Sequence, residues 1–231
     1  MDELPNFDDH WDHYNDFHLT SGTRQMNRIL SHFELYKMAR DVPGEIVECG
    51  VFKGASLIRF AMFREIFGES DAKELLGFDT FGKFPEPEFE PDKERRKEFI
   101  NEAGEESIST TQLGEVFKNK GIGNYELIEG DVNETIPNYV QDNPELRISL
   151  LNIDVDVYEA TKTILDHLYP RIVPGGVIMF DDYGKFPGET KAVDEYFSDG
   201  DIEIKRLPFG QEPPYAIKKM NSRRVRARDD V

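Results

Sequence analysis

The sequence predicts an α/β fold in which the strands of a mostly parallel sheet alternate with helices. In residues 45–56, a short apolar run leads into a Gly-x-x-x-Gly turn, and a helical apolar pattern follows it. Further short apolar runs recur along the chain and are separated by helical or loop segments. Several of these runs end in aspartate, and the carboxyl ends of strands are where open α/β sheets bind their ligands.

The glycine turn after the first strand is predicted to cradle a cofactor. Glycine at positions 50 and 54 allows a ligand to approach the backbone where a Cβ would block it. The free N–H groups at the start of the next helix favour an anionic part of that ligand. A structural turn without a ligand is the alternative, because two glycines alone are a weak signal.

The spacing of the turn narrows the class of cofactor. A dinucleotide site requires three glycines and an acid about 20 residues further on. Here the acid that ends the second strand, Asp79, lies 29 residues after Gly50. The pattern Glu48-x-Gly50-x-x-x-Gly54 with an acid at the end of the second strand is instead typical of methyltransferases that use S-adenosylmethionine (SAM).

Residues 21–219 are predicted to form a single domain. Residues 1–20 precede it as an arm, and residues 220–231 follow it as a polar tail. The segment of about 82–121 is longer than one crossover connection requires, so we expect it to form a lid over the site.

The predicted elements follow from apolar periodicity and from glycine and proline positions. In the first predicted helix, one apolar face would consist of Met26, Ile29, Leu30, Phe33 and Tyr36. The predicted strands are 45–49, 75–79, 125–129, 147–153 and 177–180, with an antiparallel pair at 202–207 and 215–218. The predicted helices are 21–40, a helix from Leu57, 112–120, 158–168 and 189–198.

Composition excludes several partners. The net charge is −18, from 28 basic and 46 acidic residues, and such a surface repels nucleic acid and anionic lipid. No apolar run approaches the roughly 20 residues of a membrane span. The single cysteine, Cys49, suits a reducing compartment. We therefore expect a cytoplasmic protein without nucleic-acid or membrane partners.

The arm at residues 1–20 contains several histidines and aromatic residues. The spacings His10-x-x-His13 and His13-x4-His18 match no well-known metal site. We expect the arm to pack over a pocket or over a neighbouring subunit, and the protein to be a homo-oligomer.

Acidic residues follow two strands that we expect to be neighbours. Asp154 and Asp156 follow the fourth strand, and Asp181 and Asp182 follow the fifth. Clustered carboxylates repel one another, so a bound cation is the simplest explanation, and oxygen ligands favour Mg²⁺ over zinc. The alternative is a set of helix caps and turn acids, which would account for one or two of these positions.

Four blocks of the sequence resemble the macrocin O-methyltransferase family of sugar-modifying enzymes. They are 43–54, 77–85, 153–161 and 174–183, and the resemblance covers roughly 22–219. It implies the class I SAM-dependent methyltransferase fold, with a seven-stranded mostly parallel sheet, helices on both faces and a lid insertion after strand two. The implied activity is a SAM-dependent, Mg²⁺-assisted methyl transfer to a sugar hydroxyl of a glycosylated natural product or its precursor.

The resemblance also implies roles for individual residues. Asp154, Asp181 and Asp182 would hold the metal, and Asp154, helped by Asp156, would take the hydroxyl proton. The more distantly similar catechol O-methyltransferase has a lysine three residues after its first metal acid, where this chain has Val157. The implied cofactor residues are Glu48, Gly50 and Gly54 at the methionine part of SAM, Asp79 at the ribose, Asp131 at the adenine, and Ser56 and Thr80 elsewhere in the same site.

Other interpretations of the sequence remain open. A catechol-type phenol could replace the sugar, and Tyr183 or His167 could be the base. A metal-dependent glycosyltransferase could use Asp154-Val155-Asp156 as an Asp-x-Asp motif, but the glycine turn would then have no role. A nicotinamide-dependent dehydrogenase fits the glycine spacing poorly, and a SAM-binding protein without catalysis would not need the acid cluster.

Overall fold

A computed structural model of the chain describes residues 3–200 and 202–219. Seven strands form one sheet in the order β3-β2-β1-β4-β5-β7-β6. The predicted polar tail, 220–231, lies outside the described residues. The strands are β1 (Glu45–Cys49), β2 (Leu75–Asp79), β3 (Tyr125–Glu129), β4 (Ile148–Ile153), β5 (Ile172–Phe180), β6 (Lys205–Leu207) and β7 (Gly210–Ile217).

Eight α-helices of the described chain connect or flank these strands. They are α1 (His10–Thr20), α2 (Thr23–Ala39), α3 (Ala55–Phe67), α4 (Glu90–Ala103), α5 (Thr110–Lys120), α6 (Val132–Asp142), α7 (Tyr158–Leu168) and α8 (Pro187–Tyr196). Short 3₁₀ turns lie at Phe7–Asp9 and Tyr169–Arg171. None of the helices that the structure describes has the length and apolar character needed to cross a bilayer.

Strands β1 to β5 are parallel, and β7 pairs antiparallel with both β5 and β6. The strand order reverses beside β1, which lies between β2 and β4. All six residues of β4 are buried, as its continuous apolar run predicted. The predicted α/β class is therefore confirmed, and the reversal creates the crevice in which such sheets bind ligands.

Two hydrophobic cores cover the two faces of the sheet. On one face, α6, α7 and α8 pack against the sheet through residues such as Ile136, Ile164 and Val193. On the other face, α2, α3 and α5 contribute residues such as Leu35, Phe60 and Phe117. Since both faces are covered, the carboxyl-terminal edge of the strands is left for the functional site.

Gly50 is required by the packing of the strands themselves. Its φ is +90°, and a Cβ at this position would lie 1.8 Å from the carbonyl oxygen of Asp154. The backbone of β1 and the loop after β4 therefore approach too closely for any other residue. We attributed this glycine to ligand approach, but its nearest neighbour is the protein backbone.

Three helices were not predicted from the sequence: α1, α4 and α6. Helix α6 contains Pro137, whose missing N–H and fixed φ normally interrupt a helix. Its N-cap is Asp131, whose side chain accepts a hydrogen bond from Asn133 N. Helix α4 is highly charged and buries only Asp92 and Arg96, so apolar periodicity could not reveal it. Most of the segment 82–121 is thus helical rather than irregular.

The predicted apolar face of α2 was partly wrong. Met26 and Leu30 are exposed, at 38% and 49%, while Ser31 and His32 are fully buried. The helix is rotated toward a polar cavity at the edge of the sheet. A polar face can therefore be the buried one, which a count of apolar residues does not detect.

Candidate active site

A cavity of about 550 Å³ opens at the carboxyl ends of β1, β2, β4 and β5. The strand register explains its position, because Cys49 pairs with both Phe78 and Ile153, and Ile153 pairs with Phe180. The next residue of each strand therefore reaches the same edge. Of the residues singled out from the sequence, those that line the cavity are Gly50, Ser56, Asp79, Thr80, Asp131, Asp154, Asp156, Asp181 and Asp182.

Four of the residues singled out lie elsewhere in the described structure. Glu48 and Gly54 lie behind the cavity wall, since both are buried and neither lines it. Tyr183 donates a hydrogen bond to Asp194 at 2.7 Å and does not line the cavity, and neither does His167. The two weaker candidates for the base are thus not brought to the site.

Asp79 joins the glycine turn to the loop after β2. Its Oδ2 accepts hydrogen bonds from Val51 N at 2.7 Å and Phe52 N at 2.9 Å. Its Oδ1 accepts from Phe81 N at 2.7 Å and from Ser107 Oγ at 2.8 Å. Both carboxylate oxygens already have protein partners, so this residue organises the site as well as lining it.

Glu48 lies directly below the glycine turn. Its side chain is fully buried, and its Oε1 accepts a hydrogen bond from Ser56 Oγ at 2.7 Å. Burial raises the pKa of Glu48 to about 8. The carboxyl group is therefore largely protonated at neutral pH in the ligand-free protein.

Asp154, Asp156 and Asp182 form a cluster of carboxylates on the cavity wall. One oxygen from each lies within 4.8 Å of the others. Burial, together with Asp181 and Asp182, raises the pKa of Asp154 well above its usual range. Burial and Asp182 raise the pKa of Asp156 in the same way. These closely spaced oxygens fit a hard divalent cation, which would offset their mutual repulsion.

Asp181 lies next to this cluster but has a different environment. Its Oδ2 accepts a hydrogen bond from Arg28, and its buried Oδ1 has no hydrogen-bond partner within the described structure. Burial raises the pKa of Asp181, and the charge of Arg28 opposes that rise. The free Oδ1 is an oxygen available to a ligand, so both Asp156 and Asp181 are candidates for the third position of a metal site.

Sequence reasoning missed the basic residues of the cavity. Arg24, Arg28 and His32 line it from α2, Arg59 lines it from α3, and Lys185 donates to Asp182 at 3.3 Å. The first three residues are spaced four apart, which places them on one helix face. A search for polar as well as apolar periodicity in residues 21–40 could have found them.

Comparison with known proteins agrees with this geometry. The macrocin O-methyltransferase (TylF) family model matches residues 12–206. Mycinamicin III 3''-O-methyltransferase of Micromonospora griseorubida is 32% identical over 205 residues, which are 82% of this chain and 76% of the relative. A tetracenomycin-C derivative 4'-O-methyltransferase of Streptomyces olivaceus, whose name specifies a dimethoxy-rhamnosyl group, is 30% identical over 151 residues, 63% of this chain and 55% of the relative.

Solved structures show the same similarity. The calicheamicin methyltransferase CalS11 superposes with a TM-score of 0.76 at 28% identity, over 94% of this chain and 87% of that chain. An apo structure of CalS11, a TDP-rhamnose 3'-O-methyltransferase, superposes with a TM-score of 0.67 at 30% identity, over 94% of this chain and 88% of that chain. The fold is thus that of class I SAM-dependent methyltransferases. With a family match that spans most of its length, this chain belongs to the macrocin O-methyltransferase (TylF) family and is an O-methyltransferase.

Proposed function

We propose that this enzyme transfers the methyl group of SAM to a sugar hydroxyl of a glycosylated natural product or its precursor. The observation that carries the proposal is the carboxylate cluster of Asp154, Asp156 and Asp182 in the same cavity as the glycine turn. Two relatives have names that specify rhamnose chemistry, which supports a sugar as the acceptor.

The residues of the cavity fit SAM as the methyl donor. The turn at Gly50 and Gly54 leads into α3, which has no side-chain cap and so offers backbone N–H groups. The proposed contacts are Glu48, Gly50, Gly54 and Ser56 around the methionine part, Asp79 and Thr80 at the ribose, and Asp131 at the adenine. Glu48 and Gly54 would act from behind the cavity wall by supporting Ser56 and the turn.

Asp79 provides a test of this placement. Asp79→Ala should lower SAM affinity by about 1–3 kcal/mol and should also destabilise the fold, because two buried backbone N–H groups lose their acceptor. Calorimetry and thermal unfolding measure the two effects separately. Glu102→Ala, at an exposed acid that lines the same cavity, is the control. Unchanged SAM binding in Asp79→Ala would refute the ribose placement.

The acid cluster fits Mg²⁺, with Asp154, Asp181 and Asp182 as the proposed ligands and Asp156 as the competing third ligand. When bound, Mg²⁺ would supply positive charge that acidifies a nearby hydroxyl. Asp154, helped by Asp156, would accept the hydroxyl proton, since both side chains line the cavity beside Asp182 and a carboxylate is a general base. The turn and cavity walls would hold the acceptor oxygen in line with the donor methyl group and exclude water.

The acceptor is proposed to carry two neighbouring oxygens, one of which orients the other. A catechol-type phenol satisfies this requirement as well as a sugar does. Membership of the methyltransferase family removes the glycosyltransferase and dehydrogenase alternatives.

A turnover screen tests the proposed function. Purified enzyme with SAM and Mg²⁺ is incubated separately with TDP-deoxysugars, glycosides and catechols, and the mass gain of one methyl group is followed. Methylation of sugars with vicinal oxygens is expected. Turnover restricted to catechols would show that the acceptor is a phenol and not a sugar. Turnover restricted to isolated hydroxyls would refute the requirement for two neighbouring oxygens.

Two proposals concern the surroundings of the site. Residues 82–121 would act as a lid, since Phe84, Phe99 and Ser107 from this segment line the cavity.

Helix α1 would contact a second subunit, because Trp11 and Leu19 are 67% and 83% exposed. Light scattering of Trp11→Lys against wild type tests the proposed homo-oligomer, and an unchanged mass would contradict the role of α1.

A further inference from the structure

Arg59 is a cation in the cavity wall without a carboxylate partner. It lies on α3, is half-buried and lines the cavity. No ion pair among the described residues includes it, whereas Arg28 on the neighbouring helix is paired with Asp181. Burial and the like charge of Arg28 lower the pKa of Arg59. This part of the cavity wall therefore holds an arginine that forms no ion pair with the described residues.

His32 completes the same corner of the cavity. Its ring is fully buried and stacks on Phe60, with centroids 5.1 Å apart and planes 6° from parallel. Arg59 Nη1 lies 3.0 Å from His32 Nδ1. Because a guanidinium can only donate, Nδ1 is the acceptor, and the neutral ring carries its proton on Nε2. That buried N–H has no partner within the described structure.

The start of α3 adds further donors to this corner. Gly54 provides no capping side chain, and the hydroxyl of Ser56 is already bonded to Glu48. Arg59 lies three residues after Ser56 and therefore on the same helix face. The first residues of α3, the guanidinium of Arg59 and the ring of His32 thus line the cavity beside the glycine turn, and an anion is the kind of ligand that such a group of donors favours.

We propose that Arg59 and His32 form a carboxylate-binding subsite that takes the methionyl carboxylate of SAM. The inference rests on the proposed SAM site and adds to it two residues that the sequence did not indicate. A carboxylate fits better than a phosphate dianion, because Glu48, Asp154 and Asp181 lie close enough to act electrostatically on Arg59. The planar guanidinium also matches a carboxylate in geometry.

The test compares two ligands that differ only in the carboxylate. Calorimetry measures binding of S-adenosylhomocysteine and of its decarboxylated analogue to wild type, Arg59→Met and Arg59→Gln. Wild type should prefer S-adenosylhomocysteine by roughly 10- to 100-fold, as expected for charged hydrogen bonds. In both variants that preference should fall to a few-fold, with little change in binding of the decarboxylated analogue. The unchanged analogue also shows that each variant is folded.

Controls separate the subsite from the SAM site as a whole. Arg24→Met removes another arginine of the cavity wall, which is exposed, and should leave the preference intact. A preference that persists in Arg59→Met and Arg59→Gln would overturn the subsite and leave the SAM site standing. If wild type binds neither ligand, the proposed SAM site and the subsite fail together. If instead an acceptor sugar bearing a carboxylate loses affinity in Arg59→Met while S-adenosylhomocysteine does not, the assignment to SAM is overturned.

Discussion

At the residue scale, the carboxylates of the site differ in the groups that surround them. Asp79 has its oxygens occupied by N–H and O–H donors, whereas Asp154 and Asp156 face other carboxylates. Burial and the neighbouring carboxylates oppose the charged form of Asp154 and Asp156 and raise the pKa of both. Asp79 is therefore suited to hold the loops of the site together, whereas Asp154 and Asp156 are suited to bind a cation or to accept a proton.

Asp154→Asn should abolish turnover while S-adenosylhomocysteine affinity stays within about twofold of wild type. The change removes a proposed metal oxygen and the proposed base, whereas most of the proposed cofactor contacts follow β1 and β2. Turnover and calorimetry measure the two outcomes, and Asp166→Asn, on the exposed side of α7, is the control. Full turnover by Asp154→Asn would contradict its proposed role.

A Mn²⁺ titration of Asp156→Asn and Asp181→Asn identifies the third metal ligand. The third ligand is the residue whose loss weakens Mn²⁺ binding more.

Glu48 should make the ligand-free protein less stable as pH rises. Its folded pKa of about 8 lies above the ordinary value of 4.5, so the folded state keeps a proton that the unfolded chain releases. This contribution is complete below pH 4.5 and is lost progressively up to about pH 8, with a total on the order of 5 kcal/mol.

Urea unfolding at pH 5 and pH 8.5 measures this loss. Glu48→Gln should reduce the difference between the two pH values, because glutamine has no proton to release, while other buried acids with a raised pKa, such as Asp154 and Asp156, keep their share of it. Glu134→Gln, on the exposed side of α6, should retain the wild-type difference. If Glu48→Gln and wild type lose the same free energy of unfolding between pH 5 and pH 8.5, the prediction that Glu48 is a buried, protonated carboxyl group is wrong.

At the scale of elements, buried polar side chains hold helices that apolar periodicity does not describe. Asp92 on α4 is fully buried and accepts hydrogen bonds from Tyr158 N at 2.9 Å and Gly188 N at 2.7 Å. One carboxylate therefore satisfies backbone donors near the starts of α7 and α8. Asp92, together with the buried Arg96, which donates to Pro85 O, thus attaches α4 to the rest of the fold through polar contacts.

Asp92→Ala should loosen α4 and lower the stability of the fold by about 1–3 kcal/mol, because two buried N–H groups lose their acceptor. Hydrogen exchange should increase in 90–103 and at the starts of α7 and α8. Glu94→Ala, at an exposed position on the same helix, is the matched control. Equal exchange in the two variants would show that other contacts hold α4.

At the scale of the whole molecule, the order of the strands separates the two halves of the proposed site. The glycine turn and Asp79 end β1 and β2, whereas the carboxylate cluster follows β4 and β5. Within the described residues, the two halves adjoin where β1 and β4 are neighbours, at Gly50 and Asp154. Cofactor binding and metal binding should therefore be largely independent.

Chelation should stop turnover without releasing the cofactor. EDTA is expected to abolish methyl transfer, while the dissociation constant of S-adenosylhomocysteine changes by less than about twofold. Added Mg²⁺ should restore turnover, which distinguishes metal removal from damage to the protein. Methyl transfer at the wild-type rate in EDTA would mean that the acid cluster is structural and that the proton is taken without a metal.

The sequence by itself determined the α/β class, the five parallel strands, the turn at Gly50 and the acids at the strand ends. These follow from local pattern, since apolar runs, glycine spacing and the residue after each strand are readable without long-range contacts. The family resemblance supplied the strand count and the enzyme class. The structure confirms the strand count, and the comparisons confirm the enzyme class.

Only the tertiary structure decided which side chains meet. It placed Asp156 beside Asp154 and Asp182, attached Asp181 to Arg28, and turned the polar face of α2 toward the cavity. It also formed α6 in spite of Pro137. Each outcome depends on contacts between residues distant in the chain, where burial and charge outweigh local preference. A single sequence shows which residues are present, but it does not show which of them contact each other in the fold.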